Sequence, residues 1–231
     1  MRAWLVVQPQ PAPELLEEGL ENALDLIAYC ARVSNPAHEF NTDTGERLIR
    51  RLIEWKHWSP LEMCSATIGV ETTRDIARQM LRHRSFSFQE FSQRYADPSA
   101  LDNTFVLREA RLQDPKNRQN SIDTDDKHLQ EMWEFKQQMV ISAAKEAYQW
   151  AIDHGIAKEQ ARSVLPEGNT TSKLYMNGTL RSWIHYIELR SGNGTQKEHM
   201  EVARAIAKAI TAIFPMAGEY VNGKENQDSL S

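Results

Sequence analysis

The sequence predicts an α+β fold, in which a mixed sheet is flanked by helices. Some segments have the alternating apolar pattern of a strand with one buried face, and others have apolar residues at helical spacing. The two kinds of segment do not alternate regularly, as they would in a parallel α/β fold. We find no internal repeat and no linker, so we expect one domain over residues 1–221. A disordered tail is expected at 222–231.

The first elements are a strand and two helices. Residues 2–7 are expected to form a short buried strand, and the run from about 14 to 33 has apolar residues at helical spacing. A second amphipathic helix is expected after Thr44, with Trp55 on its apolar side. Pro60 then interrupts any helix, because proline lacks the backbone N–H that a helix interior requires.

The next elements are a strand and a helix that follow each other directly. In residues 64–70 apolar and small polar residues alternate, which predicts a strand with one buried face. Thr72 or Thr73 can cap a helix that starts near Arg74, because a threonine hydroxyl can accept a hydrogen bond from the first helical turn.

The rest of the chain is a polar excursion followed by helices. Residues 96–127 are rich in Asp, Asn, Ser, Pro and Arg and are expected to have little core of their own. They could form a lid, an intersubunit contact or a surface insertion, and the last is the default. A long helix is expected over about 127–153, a short helix ending near Pro166, and two helices over 180–190 and 196–213. The candidates for the buried side of the long helix are Leu129, Trp133, Met139, Val140, Ala143, Ala147 and Trp150.

The composition narrows the class of protein. The chain has 231 residues, 41% hydrophobic and 26% charged, which is enough for a full core. The formal net charge of −5 argues against a protein that coats nucleic acid by bulk charge. We expect neither a membrane span nor a signal peptide, because the apolar runs are too short. With only Cys30 and Cys64 there is no disulfide framework and no metal cluster, so we expect a soluble protein of a reducing compartment without a metal.

The basic segment over residues 74–95 contains the residue types that are most informative about function. Arg74, Arg78 and Arg82 are spaced at i, i+4 and i+8, which predicts a row along one helix face that needs anions or acidic partners. Guanidinium groups suit phosphate oxygens, and the Gln, Glu and Ser residues that follow suit a base or a ribose. The segment therefore has the composition of a nucleotide pocket. Basic residues near a helix end are also expected from the helix dipole alone, and the residue types by themselves leave both interpretations open.

A set of ordered motifs resembles those of the flavin-dependent thymidylate synthase (ThyX) family. Arg82-His83-Arg84, seven further residues and Ser92 match the family signature, and Arg94-Tyr95 follows as it does in the family. The other matching elements are Ala31-Arg32-Val33-Ser34, His57-Trp58-Ser59-Pro60-Leu61-Glu62, Arg162-Ser163-Val164-Leu165-Pro166, and the run containing Arg181, Trp183, His185 and Leu189-Arg190. They occur in the family's order from about residue 31 to 200.

The resemblance implies an activity and its partners. It implies an enzyme that methylates dUMP to dTMP, with methylenetetrahydrofolate as the carbon donor and FAD-mediated hydride transfer from NADPH or NADH. It also implies a homotetramer in which each active site is built from more than one subunit. We expect the enzyme in the cytoplasm, or in the host cytoplasm if the chain is viral, and we expect it to bind neither nucleic acid nor membrane.

The resemblance also implies two sets of site residues. dUMP would be held by Gln79, Arg82, Glu90, Ser92, Arg94, Arg162 and Arg190. The FAD site would be lined by Ser34, Ser59, Arg82, His83, Arg84, Glu90, Thr179, Arg181 and His185. Arg190 is the implied catalytic residue, because a fixed cation beside uracil N3 stabilises the anion and makes C5 nucleophilic. Ser92 is assigned to binding, since no adjacent base is evident that would activate its hydroxyl.

Two positions depart from the family pattern and leave alternatives open. Either Asn177 or Thr179 could take the place of the family asparagine at the flavin. Gln196 and His199 are the two alternatives for the family histidine that follows the position of Arg190. The two cysteines are expected to be small buried hydrophobes, and the lack of a Pro-Cys element argues against the classical, flavin-independent synthase.

Two other functions compete with this interpretation. In a nucleic-acid-binding module, residues 74–94 would track phosphates, and Phe86, Phe88 and Phe91 would stack on bases. The alternation of these phenylalanines favours core packing instead. In a nucleotide-binding regulatory protein, the same pocket would carry no redox chemistry. Bound FAD would distinguish the enzyme from both.

Overall fold

The computed structural model describes residues 1–101, 103–192 and 194–222. A four-stranded sheet has the order β1-β2-β6-β3, and a separate hairpin pairs β4 with β5. The strands are β1 Arg2–Val7, β2 Ser65–Thr73, β3 Ser87–Glu90, β4 Arg111–Gln113, β5 Ser121–Asp123 and β6 Thr171–Thr179. The α+β prediction is confirmed, but every strand pairing described is antiparallel, so the sheet is not mixed.

Eight α-helices accompany the strands in the described part of the chain. They are α1 Pro13–Glu17, α2 Ala23–Ala31, α3 Gly45–Glu54, α4 Arg74–Met80, α5 Lys127–Asp153, α6 Lys158–Ala161, α7 Leu180–Arg190 and α8 Lys197–Ile210. Short 3-10 helices lie at Pro36–His38, Ser59–Glu62, Pro98–Ala100, Arg162–Val164 and Pro215–Tyr220. Pro60 therefore does not prevent a helix: it opens a 3-10 turn, where its missing N–H costs nothing.

The first predicted helix is two helices. Gly19 has a φ of +89°, a conformation that a side chain disfavours, and the chain turns there. Asn22 and Asp25 then form a capping box, in which each side chain accepts a hydrogen bond from the other's backbone N–H. These local signals override the helical spacing that runs through 14–33. The first strand is also corrected, because β1 is an edge strand that is half-exposed rather than buried.

Strand β6 was not predicted, although it pairs with β2 along all nine of its residues. The segment begins with polar residues and contains Asn177-Gly178, a dipeptide typical of turns. Gly178 lies within the strand and not in a turn. A Cβ at this position would lie 2.3 Å from Cδ1 of Phe86, so glycine allows the Phe86 ring to lie against the strand.

Helix α5 has the predicted bounds but buries a different face. All seven residues predicted to be buried are exposed, with Trp133 at 44% and Trp150 at 56%. The residues that the helix does bury are Gln137, Ile141, Ala144, Tyr148 and Ala151. The helix thus has a small inward face and a larger apolar outward face that nothing in the described chain covers. Trp55 after α3 is likewise exposed rather than buried.

Residues 96–127 contribute more than a surface insertion. They contain the β4–β5 hairpin, and two of their arginines form ion pairs with the main body. Arg108 contacts Asp75 of α4 at 2.8 Å, and Arg111 contacts Glu198 of α8. Of the alternatives for this segment, the default of a surface insertion alone does not describe these ion pairs.

The core lies between the sheet and helices α4, α7 and α8. Its largest fully buried side chains include Trp183, Tyr186 and Phe214. Cys64 belongs to this core, and burial raises the pKa of its thiol to about 12, as expected for an inert cysteine. Cys30 is partly buried. Among the described helices, none is both long and apolar enough to cross a membrane. The predicted tail, apart from Asn222, lies outside the described residues.

Candidate active site

Helix α4 presents two arginines to a shared carboxylate. Because α4 ends at Met80, Arg82 lies beyond the helix, and the predicted row of three arginines is a row of two. Glu90 of β3 lies 3.7 Å from Arg74 and 3.2 Å from Arg78. Ser172 also donates a hydrogen bond to Glu90 at 2.8 Å. The expectation that an acidic group separates the arginines is confirmed.

These arginines border an open cavity of about 410 Å³, here called the arginine cavity. It is lined by Arg74, Arg78, Gln93, Glu159, Arg162, Ser163, Leu165 and Glu167. Glu167 pairs with Arg78 at 3.0 Å, and Glu159 pairs with Arg94 at 3.3 Å. The guanidinium groups are thus balanced by carboxylates. Gln93 is buried, and its Nε2 has no hydrogen-bond partner among the described residues.

A second group of side chains, here called the histidine cluster, lies where the end of α4 meets α7 and α8. It consists of Gln79, His83, Tyr186, Arg190 and His199. Arg190 donates a hydrogen bond from Nε to Nε2 of His83 at 2.8 Å. Nε2 must therefore be unprotonated, and the imidazole is neutral.

The electrostatics of His83 agree with its hydrogen bond. Burial, together with the nearby Arg190 and His185, lowers its pKa from 6.5 to about 4. A neutral imidazole can hold the guanidinium of Arg190 in position without cancelling its charge. No second hydrogen bond of the Arg190 guanidinium is formed within the described ranges, so positive charge remains at this point.

His199 is fully buried, and both its ring nitrogens are occupied. Its Nδ1 lies 3.1 Å from Oε1 of Gln79, and its Nε2 lies 2.9 Å from the hydroxyl of Tyr186. Burial, with Arg190 and His83 nearby, lowers its pKa to about 3. Burial also raises the pKa of Tyr186. His199 is therefore unsuited to a ligand contact, whereas Gln196 is only partly buried and accepts a hydrogen bond from Gln79 at 2.8 Å.

A third group of predicted residues surrounds the start of α7. Thr179 caps this helix, because its hydroxyl accepts from the backbone N–H of Ser182 at 3.3 Å. Arg181 pairs with Glu62, which lies on the same 3-10 turn as Ser59. Asn177 instead bonds within the sheet, to the hydroxyl of Thr67 at 2.8 Å. Of the two alternatives at this position, Thr179 is the one that lies at the helix start.

The remaining predicted residues lie elsewhere. Ser34 lines a separate cavity of about 440 Å³ that also contains Arg32, Arg47 and Arg51. Arg82, Arg84 and His185 are exposed, and Ser92 accepts a long 3.4 Å hydrogen bond from the N–H of Arg94.

The single chain brings the predicted residues together in clusters, not in one pocket. Gln79, His83 and Arg190 meet in the histidine cluster. Glu90, Arg94 and Arg162 lie in or beside the arginine cavity. Ser34 belongs to neither. No group of three or more His, Cys, Asp or Glu side chains in the described part of the chain is arranged to hold a metal.

Sequence reasoning missed Gln93 and Tyr186 as members of these clusters. Tyr186 is four residues before Arg190, on the same helical face, and that spacing was the available signal. Two of the three phenylalanines pack as expected: Phe86 and Phe88 lie against the core, and the Phe86 ring lies 4.6 Å from that of Trp183. Such a ring cannot serve as a platform for nucleic-acid bases.

Comparisons with known proteins show which sequences this chain resembles. A family model described as thymidylate synthase complementing protein matches residues 14–216. A probable flavin-dependent thymidylate synthase of Paramecium bursaria Chlorella virus 1 is 48% identical over 198 residues, covering 86% of this chain and 90% of that protein. A flavin-dependent thymidylate synthase of Synechocystis sp. is 46% identical over 204 residues, covering 88% and 92%.

A solved structure with a similar fold is also known. It is the crystal structure of a UMP/dUMP methylase, PolB from Streptomyces cacaoi, bound with 5-Br dUMP. The TM-score is 0.77 at 27% sequence identity, with 94% of this chain and 93% of that chain covered. The similarity therefore extends over nearly the whole of both proteins.

Proposed function

The chain belongs to the flavin-dependent thymidylate synthase family, and from this membership we propose how its own residues divide the work of the reaction. The protein is an enzyme that methylates dUMP to dTMP, with methylenetetrahydrofolate as carbon donor and NAD(P)H as reductant. FAD, when bound, supplies the hydride transfer, while the protein provides position and electrostatics.

We assign Arg190 to the uracil ring. The observation that carries this assignment is its hydrogen bond to a neutral His83, which orients the guanidinium and leaves its charge uncompensated. A fixed cation beside N3 favours the deprotonated ring, and the added electron density makes C5 a better nucleophile. Arginine suits this role because it does not lose its own proton.

We assign the phosphate and sugar of dUMP to the residues around the arginine cavity. Guanidinium donors, which match phosphate oxygens in geometry, come from Arg94 and Arg162 at the cavity and from the exposed Arg82 outside it. The other assigned dUMP contacts are Glu90, Ser92 and, from the histidine cluster, Gln79. The carboxylates now paired with the arginines would have to yield to an incoming phosphate, and the open shape of the cavity allows them to move.

The chain's own residues fit FAD. Ser34 shares its cavity with Arg32, Arg47 and Arg51, a donor set that suits the diphosphate of a dinucleotide. Arg32 is buried and fixed by hydrogen bonds to Asn41 and Thr44, so its orientation is set in advance. The other residues assigned to FAD are Ser59, Arg82, His83, Arg84, Glu90, Thr179, Arg181 and His185.

We propose that the enzyme is a homotetramer with active sites shared between subunits. Two observations support this. The assigned residues occupy separate clusters of one chain, and the outward face of α5 exposes Trp133, Val140 and Trp150. Large apolar patches on a folded protein mark contacts with other proteins. We place the enzyme in the cytoplasm, or in the host cytoplasm if it is viral, because both described cysteines are free thiols.

The activity is tested by two measurements on the purified protein. Its visible spectrum should show a bound flavin. Tritium should be released from C5-labelled dUMP only when methylenetetrahydrofolate and NADPH or NADH are both present. A protein without flavin that binds oligonucleotides tightly and in a salt-dependent manner would contradict the proposal.

The tetramer is tested by sedimentation velocity. The double variant Trp133→Glu/Val140→Glu, with its changes two turns apart on the outward face of α5, should dissociate the assembly because charges cannot be buried there without partners. Glu131→Gln on the same helix is the control and should leave the assembly intact. A double variant that sediments like the wild type would show that this face is not an interface.

A further inference from the structure

A continuous chain of hydrogen bonds joins the 96–127 excursion to Gln79. Glu198, at the start of α8, is 6% exposed and is held by Arg111 and by Arg108, the latter at 3.3 Å. Its Oε2 accepts a hydrogen bond from Nε2 of Gln196 at 2.8 Å. Gln196 in turn accepts from Nε2 of Gln79 at 2.8 Å.

The direction of each bond in this chain follows from the carboxylate at its end. An ionised carboxylate only accepts, so Gln196 must turn its NH₂ group toward Glu198 and its oxygen toward Gln79. Gln79 must then turn its own NH₂ group toward Gln196. Burial alone would raise the pKa of Glu198, but hydrogen bonds from Arg111, from its own backbone N–H and from Gln196, together with the charge of Arg108, lower the pKa and keep the group ionised.

The hydrogen bonds on the other side of Gln79, to His199 and Tyr186, agree with this direction. Because the oxygen of Gln79 faces Nδ1 of His199, that nitrogen must carry the proton. Nε2 of His199 is then the acceptor for the hydroxyl of Tyr186. One assignment of donors and acceptors therefore satisfies every hydrogen bond from Glu198 through to Tyr186. In that assignment the orientation of the Gln79 amide is fixed.

We propose that Glu198 is a positioning residue: held by the excursion arginines, it acts through Gln196 to orient the Gln79 amide for dUMP. This inference rests on the proposed assignment of Gln79 to dUMP. It gives the 96–127 excursion a role in substrate binding, since Arg108 and Arg111 both belong to that segment. Gln196 thereby acts on the substrate site through Gln79.

The test uses Glu198→Gln in the flavin-loaded enzyme. An amide can donate or accept, so the direction of the chain is no longer imposed. We expect dUMP to bind about tenfold more weakly by calorimetry, with KM for dUMP raised more than kcat is lowered, as for the loss of one good hydrogen bond. Glu201→Gln is the matched control, since this exposed carboxylate lies one turn further along α8. It should bind dUMP like the wild type.

A double-mutant cycle separates positioning from general damage. In a Gln79→Ala background, Glu198→Gln should cause little further loss of dUMP affinity, because the group through which it acts is gone. An equal loss in both backgrounds would overturn the proposal. Nitrogen-15 NMR of His199 gives a second readout: the wild type should show the Nδ1–H tautomer, and Glu198→Gln should show a mixture.

Failure of this inference differs from failure of the proposed function. If the wild type binds dUMP and folded Glu198→Gln binds it equally well, only the positioning role is wrong. If the wild type does not bind dUMP, the assignment of Gln79 falls as well. Should Glu198→Gln fail to fold, Gln196→Leu removes the same link while the buried carboxylate keeps its ion pairs with Arg108 and Arg111, and wild-type dUMP affinity in that variant would overturn the proposal.

Discussion

In the arginine cavity, guanidinium groups are paired with Glu90, Glu159 and Glu167, whereas in the histidine cluster the partner of Arg190 is a neutral imidazole. The cavity is open to solvent, whereas in the cluster Tyr186 and His199 are fully buried and the other three side chains are partly buried. The two regions therefore hold positive charge in different ways. The arginine cavity balances its guanidinium charges with carboxylates that an anionic ligand must displace. The histidine cluster leaves the charge of Arg190 without a carboxylate partner among the described residues.

This difference suits two tasks. A phosphate is anionic before and after the reaction, so its binding needs only a site where it can compete with exposed carboxylates. A uracil anion forms only during catalysis, and its stabilisation is greatest where a cation is fixed in advance and shielded from water. We therefore expect mutations of Arg190 to change mainly turnover and mutations in the arginine cavity to change mainly affinity.

The largest effect should follow Arg190→Ala. Loss of the fixed cation should lower kcat/KM by about 10³-fold, the cost of removing a donor that stabilises developing negative charge. Tritium release from C5-labelled dUMP measures it. Arg190→Lys, which retains charge but not the hydrogen bond to His83, should recover part of the activity. Near wild-type turnover in the alanine variant would refute the assigned role.

Packing under the histidine cluster is tested by Gly178→Ala. The added methyl group would meet the Phe86 ring, and that ring also packs near His83 and Trp183. We expect a loss of about 1–3 kcal/mol in the free energy of unfolding, as for other overpacked cores. Denaturant unfolding provides the measurement. Gly168→Ala is the control, since a Cβ there has open space, and equal stability of the two variants would contradict this account.

The neutral state of His83 predicts a pH dependence of stability. Its pKa is lowered from 6.5 to about 4 on folding, so the unfolded chain binds the proton more readily between these values. The stabilisation is complete above pH 6.5 and is lost as the pH falls toward 4. His83→Gln, which can still accept from Arg190, should reduce the slope of unfolding free energy against pH by about 1.4 kcal/mol per unit in this window.

Urea titrations from pH 7 to pH 4 measure this slope. His128→Gln provides the control, because His128 is exposed on α5 and its replacement should leave the slope unchanged. An unchanged slope in the His83 variant would mean that folding does not lower the pKa of this imidazole, and the contrast between the two regions would lose its support.

The smallest effect is expected in the arginine cavity. Glu167→Gln removes a carboxylate that competes for Arg78, so dUMP should bind about two- to threefold more tightly, in line with the modest energy of exposed ion pairs. Calorimetry at low and high salt gives the measurement. The gain should shrink as salt screens the charges. Weaker binding in this variant would show that Glu167 itself holds the substrate.

Several elements could be predicted because their signals are local. The alternation of residues 64–70 predicted β2, and the bounds of α5 agree with the helical pattern. The buried face of α5 could not be predicted, because apolar residues occur around most of its circumference. Only the neighbouring segments decide which of them are covered. In β6, the turn signal of Asn177-Gly178 hid a strand whose glycine accommodates the Phe86 ring.

The sequence by itself determined the family, the order of its motifs and the residue types available for an anionic substrate, because these depend only on identity and spacing along the chain. Tertiary structure alone decided that His83 meets Arg190, 107 positions away, and that Glu198 reaches Gln79 through Gln196. Protonation and hydrogen-bond direction depend on burial and on partners from distant segments. Neither quantity is defined until the chain has folded.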